Sequence, residues 1–209
     1  FGQKTAFKHR TLAKRRTEAR RLKSLAGEAA TLRELLNRLT KSRRIERRPE
    51  RPETERTAPP ETGETVAGLP AGLTGAPISG QRGKLPPPAV GRIIGRYDQT
   101  TPAGLTKKGI SLQTAPGAQV VAPYEGRVAY AGKFRRYGEL LIIEHGEGYH
   151  SLLSGLARID STMGQWVVAG EPVGVMGRPD NSKPVLYVEL RRNGQPINPL
   201  PWLSAQRLR

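Results

Sequence analysis

Three histidines, His9, His145 and His150, are the chain's whole supply of imidazole, and it has no cysteine. Zinc takes about four donors, usually from His, Cys, Asp or Glu. His9 sits in a basic stretch far from the other two. His145 and His150 flank Gly146-Glu147-Gly148-Tyr149, which reads as a turn. Two histidines without a third donor at a sensible spacing make a poor zinc site. The plainer reading is that both are ordinary strand-end residues. Thiol chemistry and disulfides are excluded outright. Two other stretches carry chemistry of a different kind: Lys107-Lys108-Gly109-Ile110-Ser111 and Lys183-Pro184-Val185-Leu186-Tyr187-Val188-Glu189-Leu190-Arg191. In the second, alternation along a strand puts Val185, Tyr187, Glu189 and Arg191 on one face. Tyr and Arg are typical hot-spot residues of protein interfaces.

A chain of 209 residues suits one domain plus an appendage. Its net charge of +17 is unevenly placed: residues 1–48 hold 16 Lys/Arg against 4 Glu. Such a segment could meet nucleic acid, anionic lipid or an acidic protein, or simply be a solvated helix face. No nucleic-acid motif or aromatic interleaving supports the first partner. No run of 18 apolar residues exists, so no helix is long and apolar enough to cross a membrane. The chain opens at Phe1 rather than Met and is read as a trimmed piece, so the lack of a signal peptide carries no weight.

Three segments follow. Residues 1–46 form a basic helical segment: residues 6–46 hold no Pro and one Gly, and Leu22, Leu25, Ala29, Leu32, Leu36 and Leu39 repeat at 3–4 spacing. That seam reads as the end of a coiled coil; the alternative is a helix packed on the domain. Residues 47–83, punctuated by six prolines, read as a flexible linker or regulatory arm with one short apolar patch at Val66–Leu69. Residues 84–209 are mainly β: short apolar runs recur between Gly, Pro and Asp turns, as in a β-sandwich or barrel. The expected strands centre on Ile93-Ile94, Gln119–Val121, Arg127–Tyr130, Leu140–Ile143, Ser151–Leu153, Pro172–Val175 and Leu186–Leu190. Arg127 and Ala129 are expected on a wet face, with Val128 and Tyr130 on a buried one.

The β segment resembles the LytM (lysostaphin-like) zinc endopeptidases. Gly117-Ala118-Gln119-Val120-Val121-Ala122 through Gly126-Arg127-Val128 looks like that family's Gly-x-x-Val-x-Ala-x-x-x-Gly-x-Val turn. Tyr137-Gly138 with Ile142-Ile143-Glu144-His145-Gly146 resembles its central hairpin, and Gly164-Gln165-Trp166-Val167 with Gly170-Glu171-Pro172-Val173-Gly174 its later glycine pair. The family's metal motifs run His-x-Gly-x-Asp, then His-Leu-His with an aromatic and Glu. Here Lys107 and Ser111 stand at the first pair of ligand positions, and Val185 and Tyr187 at the second. Gly155 stands where active members carry an auxiliary His. The resemblance therefore implies a hydrolase fold with no zinc and no cofactor, and no enzyme activity.

Residues 83–93 and 186–203 are similar to the EnvC-like proteins, degenerate LytM activators of cell-wall amidases. That resemblance implies a non-catalytic activator in the periplasm, at the division site of a Gram-negative bacterium. Its partner would be an N-acetylmuramoyl-L-alanine amidase, whose regulatory helix enters the dead groove. A missing upstream coil would dock on the FtsEX complex. The implied groove is lined by Tyr187, Val185, Glu189 and Arg191, by Lys108 and Ser111 of the first motif, by Tyr137 and Leu140 of the hairpin, and by Leu153. For Leu140, Leu153 and Tyr187 the competing reading is core packing; for Lys108 it is a solvated charge. Two other functions stay open: a module that only holds peptidoglycan through its charge, and a zinc endopeptidase with unusual ligands.

Overall fold

A computed structural model describes residues 75–204, apart from 102, 103 and 105, together with Glu34 alone. The expected helix, its leucine seam and the Val66–Leu69 patch lie outside the described residues. Ten strands follow a short 3-10 turn at Ile78–Gln81: β1 (Gly91–Gly95), β2 (Ile110–Thr114), β3 (Gln119–Val121), β4 (Gly126–Phe134), β5 (Gly138–Gly146), β6 (Tyr149–Ile159), β7 (Trp166–Val167), β8 (Pro172–Met176), β9 (Val185–Arg192) and β10 (Gln195–Ile197). The main layer runs β1-β2-β9-β6-β5-β4-β7, and every pairing between these strands is antiparallel. The far end of β6 shifts register between Leu156 and Arg158 and pairs with β8, which in turn pairs with β3. Val120, Val173 and Met176 of that smaller layer share one core with Leu112, Leu141, Ile143, Leu153, Leu186 and Val188 of the main layer. The architecture is mainly β, as the sequence pattern implies.

Each expected strand is present, and β2, β7 and β10 are additional. The run Leu140-Leu141-Ile142-Ile143 lacks a polar partner at every second place, and the reason is now visible. All four are fully buried, so β5 is covered on both faces. Leu141 and Ile143 enter the core cluster, whereas Leu140 and Ile142 lie on the opposite face.

One expected alternation fails. Val128 opposes Ile143 and Tyr130 opposes Ile142, so Ala129 is the extra residue of a bulge. The bulge moves Tyr130 onto the face of Arg127, away from Val128. An inserted residue resets the period of two, and sequence alternation alone does not report it.

The end of the expected linker packs on the domain. Ile78 is fully buried in the core. The Gly75 amide donates to a Glu125 carboxylate oxygen at 2.8 Å, and the Tyr124 hydroxyl donates to the Ala76 carbonyl at 3.0 Å. Ser79 donates from its amide and its hydroxyl to the two Glu147 oxygens. Residues 75–83 thus form a strap tied to Tyr124 and Glu125, and both of those residues also meet His145. The Glu125 carbonyl can only accept, so it takes the proton of His145 Nδ1 at 2.8 Å, leaving Nε2 to accept from the Ser151 hydroxyl at 2.8 Å. The Tyr124 ring meets the imidazole edge-on, with centroids 6.0 Å apart.

Ile78→Ala removes a buried side chain from this junction. Unfolding in urea is expected to show a loss of about 2–5 kcal/mol, which a strap lying loosely on the surface would not give. His145 supplies a second test. Burial holds its pKa down, from the ordinary 6.5 to about 4; the hydrogen bond to the Glu125 carbonyl opposes this, and His150 adds to it. The fold therefore accommodates neutral His145. Its contribution is complete above about pH 6.5 and is lost as the pH falls toward 4, by up to about 3 kcal/mol. Urea unfolding followed from pH 7.5 to 4.5 should show that decline, and His145→Gln should flatten it.

Candidate functional site

The two motif stretches lie on neighbouring strands. The loop carrying Lys107 is pinned by its backbone: the Lys107 amide donates to the Gln99 carbonyl at 3.0 Å, and the Asp98 amide donates to the Lys107 carbonyl at 2.9 Å. The Lys107 ammonium then lies over Gly95, where any Cβ would collide with it, and the Ser111 hydroxyl is 3.1 Å from that same Cβ point. Ser111 on β2 opposes Tyr187 on β9, Tyr187 opposes Ser154 on β6, and Ser154 opposes Leu140 on β5. One row across four strands thus joins three of the expected groove residues. A Cβ at Gly109 would collide with the Val188 carbonyl and come within 3.0 Å of the Tyr187 ring, so Gly109 is what lets that ring settle.

Along β9 the polar side chains form a chain. The Tyr187 hydroxyl donates to one Glu189 oxygen at 2.7 Å, and Arg191 Nε donates to the other at 2.5 Å. Arg191 also donates from Nη1 to the Gly194 carbonyl at 3.2 Å. Glu189 and Arg191 are both buried. Burial first, and then the negative charge of Glu189, push the Tyr187 phenol far above its ordinary range, so it stays protonated. The shared face expected for Tyr187, Glu189 and Arg191 is what permits this chain. Two of its members are internal supports rather than surface contacts.

Tyr187 also ends a line of rings. Centroids are 6.5 Å apart from Tyr187 to Tyr137, 6.2 Å from Tyr137 to Phe134 and 5.9 Å from Phe134 to Tyr130. These half-buried rings stand over the sheet face that holds the fully buried Leu140 and Ile142. Lys108 is exposed, and Val185 is 38% exposed at the start of β9.

Leu153 does not belong to this face. It opposes Leu141 and Val188, is fully buried and sits in the core. Its neighbours Leu152 and Ser154 face Tyr187 and Glu189 instead, opposing Glu189 and Tyr187 respectively. Leu140 is on the groove side but has no exposed surface, so it supports the floor from beneath. Tyr130, Phe134 and Ser154 were not among the expected residues. The aromatic spacing of 130, 134 and 137 was a usable signal for the first two, whereas Ser154 depends on cross-strand register.

The residues that the resemblance puts at ligand positions do not fit zinc. Lys107 offers an ammonium, Ser111 a hydroxyl, Val185 no donor, and Tyr187 a phenol held protonated against a carboxylate. Gly155, at the auxiliary His position, has φ +92°, and a Cβ there would collide with the Val185 carbonyl. Among the described residues there is no group of three or more His, Cys, Asp or Glu that could hold a metal ion. His150, which opposes Arg191, is buried, and its Nδ1 lies 3.3 Å from the Gly148 carbonyl.

Residues 105–199 match the family described as Peptidase family M23. The murein hydrolase activator EnvC of Escherichia coli K12 is 34% identical over 147 residues, covering 70% of this chain and 34% of that protein. The murein hydrolase activator NlpD of Salmonella typhimurium LT2 is 36% identical over 134 residues, covering 62% of this chain and 33% of that protein. The chain therefore spans about a third of the length of these relatives. Helicobacter pylori Csd3 in its hexagonal crystal has the same fold: TM-score 0.51 at 22% identity, over 60% of this chain and 35% of Csd3. Residues 105–199 are thus a Peptidase family M23 (LytM) domain, in a chain similar to the murein hydrolase activators EnvC and NlpD.

Proposed function

We propose that this chain is a non-catalytic activator of a peptidoglycan amidase, working in the periplasm of a Gram-negative bacterium at the division site. The observation that carries the reading is the replacement of a ligand set by Lys107, Ser111, Val185 and a Tyr187 phenol locked onto Glu189. A groove with those side chains can hold a partner but cannot activate a metal-bound water. The names of the relatives support activation of a murein hydrolase as the role.

The partner in this reading is an N-acetylmuramoyl-L-alanine amidase held closed by its own regulatory helix. The helix leaves the amidase and lies along the groove, against Tyr187 and Tyr137, with Lys108 at the rim. A helix in an apolar groove rimmed by charge is a common recognition mode. Capture opens the amidase only to the extent that this chain binds the open form more tightly than the closed one. The FtsEX complex is a second partner in this reading.

Dye release from labelled peptidoglycan sacculi tests the proposal. Amidase alone and this chain alone should release little, and the mixture should release much more. Release by this chain alone that a chelator abolishes would overturn the reading, as would about one zinc per chain by elemental analysis. Lys108→Glu changes an exposed residue and should leave melting unchanged while weakening activation roughly 30-fold, the scale of a lost interface hot spot. Tyr187→Ala should weaken activation as well, but with a fall in stability, because its ring packs on Gly109 and its hydroxyl holds Glu189. Glu189→Ala should cost about 3–5 kcal/mol by leaving Arg191 buried without its partner, so its loss of activity should track its loss of fold.

A further inference from the structure

The described residues leave five large apolar side chains exposed: Val90 at 65%, Ile94 at 42%, Met163 at 69%, Trp166 at 39% and Val185 at 38%. Met163 and Trp166 belong to the β7 edge of the main layer. The other three belong to the opposite end, at β1 and β9. Scattered exposed apolar residues need no explanation, but the register ties these together. Arg92 on β1 opposes Gln113 on β2, and Gln113 opposes Val185 on β9. The next row along carries Ser111 and Tyr187. Val185 therefore lies one row from Tyr187 on the same face, and Arg92 lies two strands from Val185 in the same row. Ile94 is the extra residue of the β1 bulge between Ile93 and Gly95, and Val90 leads into β1.

We propose that the surface that takes the partner helix continues past Tyr187 to the sheet edge, over Val185, Arg92, Ile94 and Val90, and that the helix carries an acidic residue within its apolar stripe. The proposal deepens the activator reading and rests on it. The width fits: strands lie about 4.8 Å apart, so β1 and β9 are separated by roughly 10 Å, the breadth of one helix. The charge fits too. Strands β1, β2 and β9 hold one acidic residue, Glu189, which Arg191 neutralises. Around them stand Arg92 and Lys108, both exposed, and the Lys107 ammonium over Gly95. Among the described residues Arg92 reaches only the neutral Gln113 side chain, at 3.4 Å. A carboxylate on the incoming helix would meet uncompensated positive charge there, whereas a basic helix would be repelled.

The probe is the amidase used for dye release, with the full chain as binder. Ile94→Asp, Val185→Asp and Arg92→Glu should each raise the concentration for half-maximal activation about tenfold or more, with circular dichroism and melting unchanged, and Arg92→Lys should stay near wild type. Benzoylphenylalanine placed at 94 or 185 should crosslink to the amidase, and at 168, away from this face, should not. If Tyr187→Ala and Lys108→Glu lose activation while the three edge variants behave as wild type, the docking surface ends at Tyr187 and this inference falls while the activator reading stands. A crosslink from position 94 or 185 to a second copy of the chain would also overturn it. If the unaltered chain neither binds nor activates the amidase, both fall together.

Discussion

Glu189 is a carboxylate almost out of reach of water, and it can remain there because Arg191 donates to one oxygen and Tyr187 to the other. Burying such a pair is no gift to stability, because desolvation cancels much of the attraction. Its effect is geometric. Each carboxylate oxygen takes one of these donors, so the aromatic ring cannot swing without leaving an oxygen unpaired in a low dielectric. That fixes Tyr187 against Gly109 on one side and against Tyr137 on the other. The ring line through Phe134 and Tyr130 then stands on a fixed end. Shape at the candidate groove thus depends on a charge pair that itself has almost no exposed surface.

The same arrangement explains why the site is not a degraded metal centre with room for repair. A catalytic zinc site needs converging neutral or anionic donors and an open position. Here the converging groups are an ammonium, a hydroxyl and a phenol pushed away from ionisation. Tyr187→His would leave the Lys107 ammonium and the Ser111 hydroxyl together over Gly95. It would also take the phenol's hydrogen bond from Glu189 and change the shape of the floor.

What the residues revealed in advance, and what they did not, divides along one physical line. Features carried within one strand were legible: the β-branched runs, and the common face of Tyr187, Glu189 and Arg191. Features set by pairing between strands were not. The resemblance puts Leu153 in the groove, yet its opposition to Leu141 and Val188 sends it into the core. Tyr130 changed faces because Ala129 is a bulge residue, which the alternation Arg127-Val128-Ala129-Tyr130 does not announce. Ile78 is a lone apolar residue among Gly, Pro and Ser, with no period to mark it as core. The β2 strand was hidden differently. Its alternation of buried and half-buried residues is regular, but Ser111, Gln113 and the buried Thr114 are polar, so the run does not stand out as a β-branched stretch.

Rigidity is the property that a metal site and a recognition groove have in common. Catalysis demands that ligand-bearing strands be held to a fraction of an ångström, and a sheet with its core packed on the far side supplies that. A groove that binds a helix gains from the same restraint, since side chains already fixed have little freedom left to lose on association. In this chain the restraint comes from side-chain hydrogen bonds: Tyr187, Glu189 and Arg191 order one another. The rim is left free to vary. Lys108, Arg92 and Val185 are exposed residues whose replacement disturbs no core contact. In the proposed role, partner choice can therefore be set by rim charge and rim hydrophobicity, while Tyr187, Glu189 and Arg191 keep the floor constant.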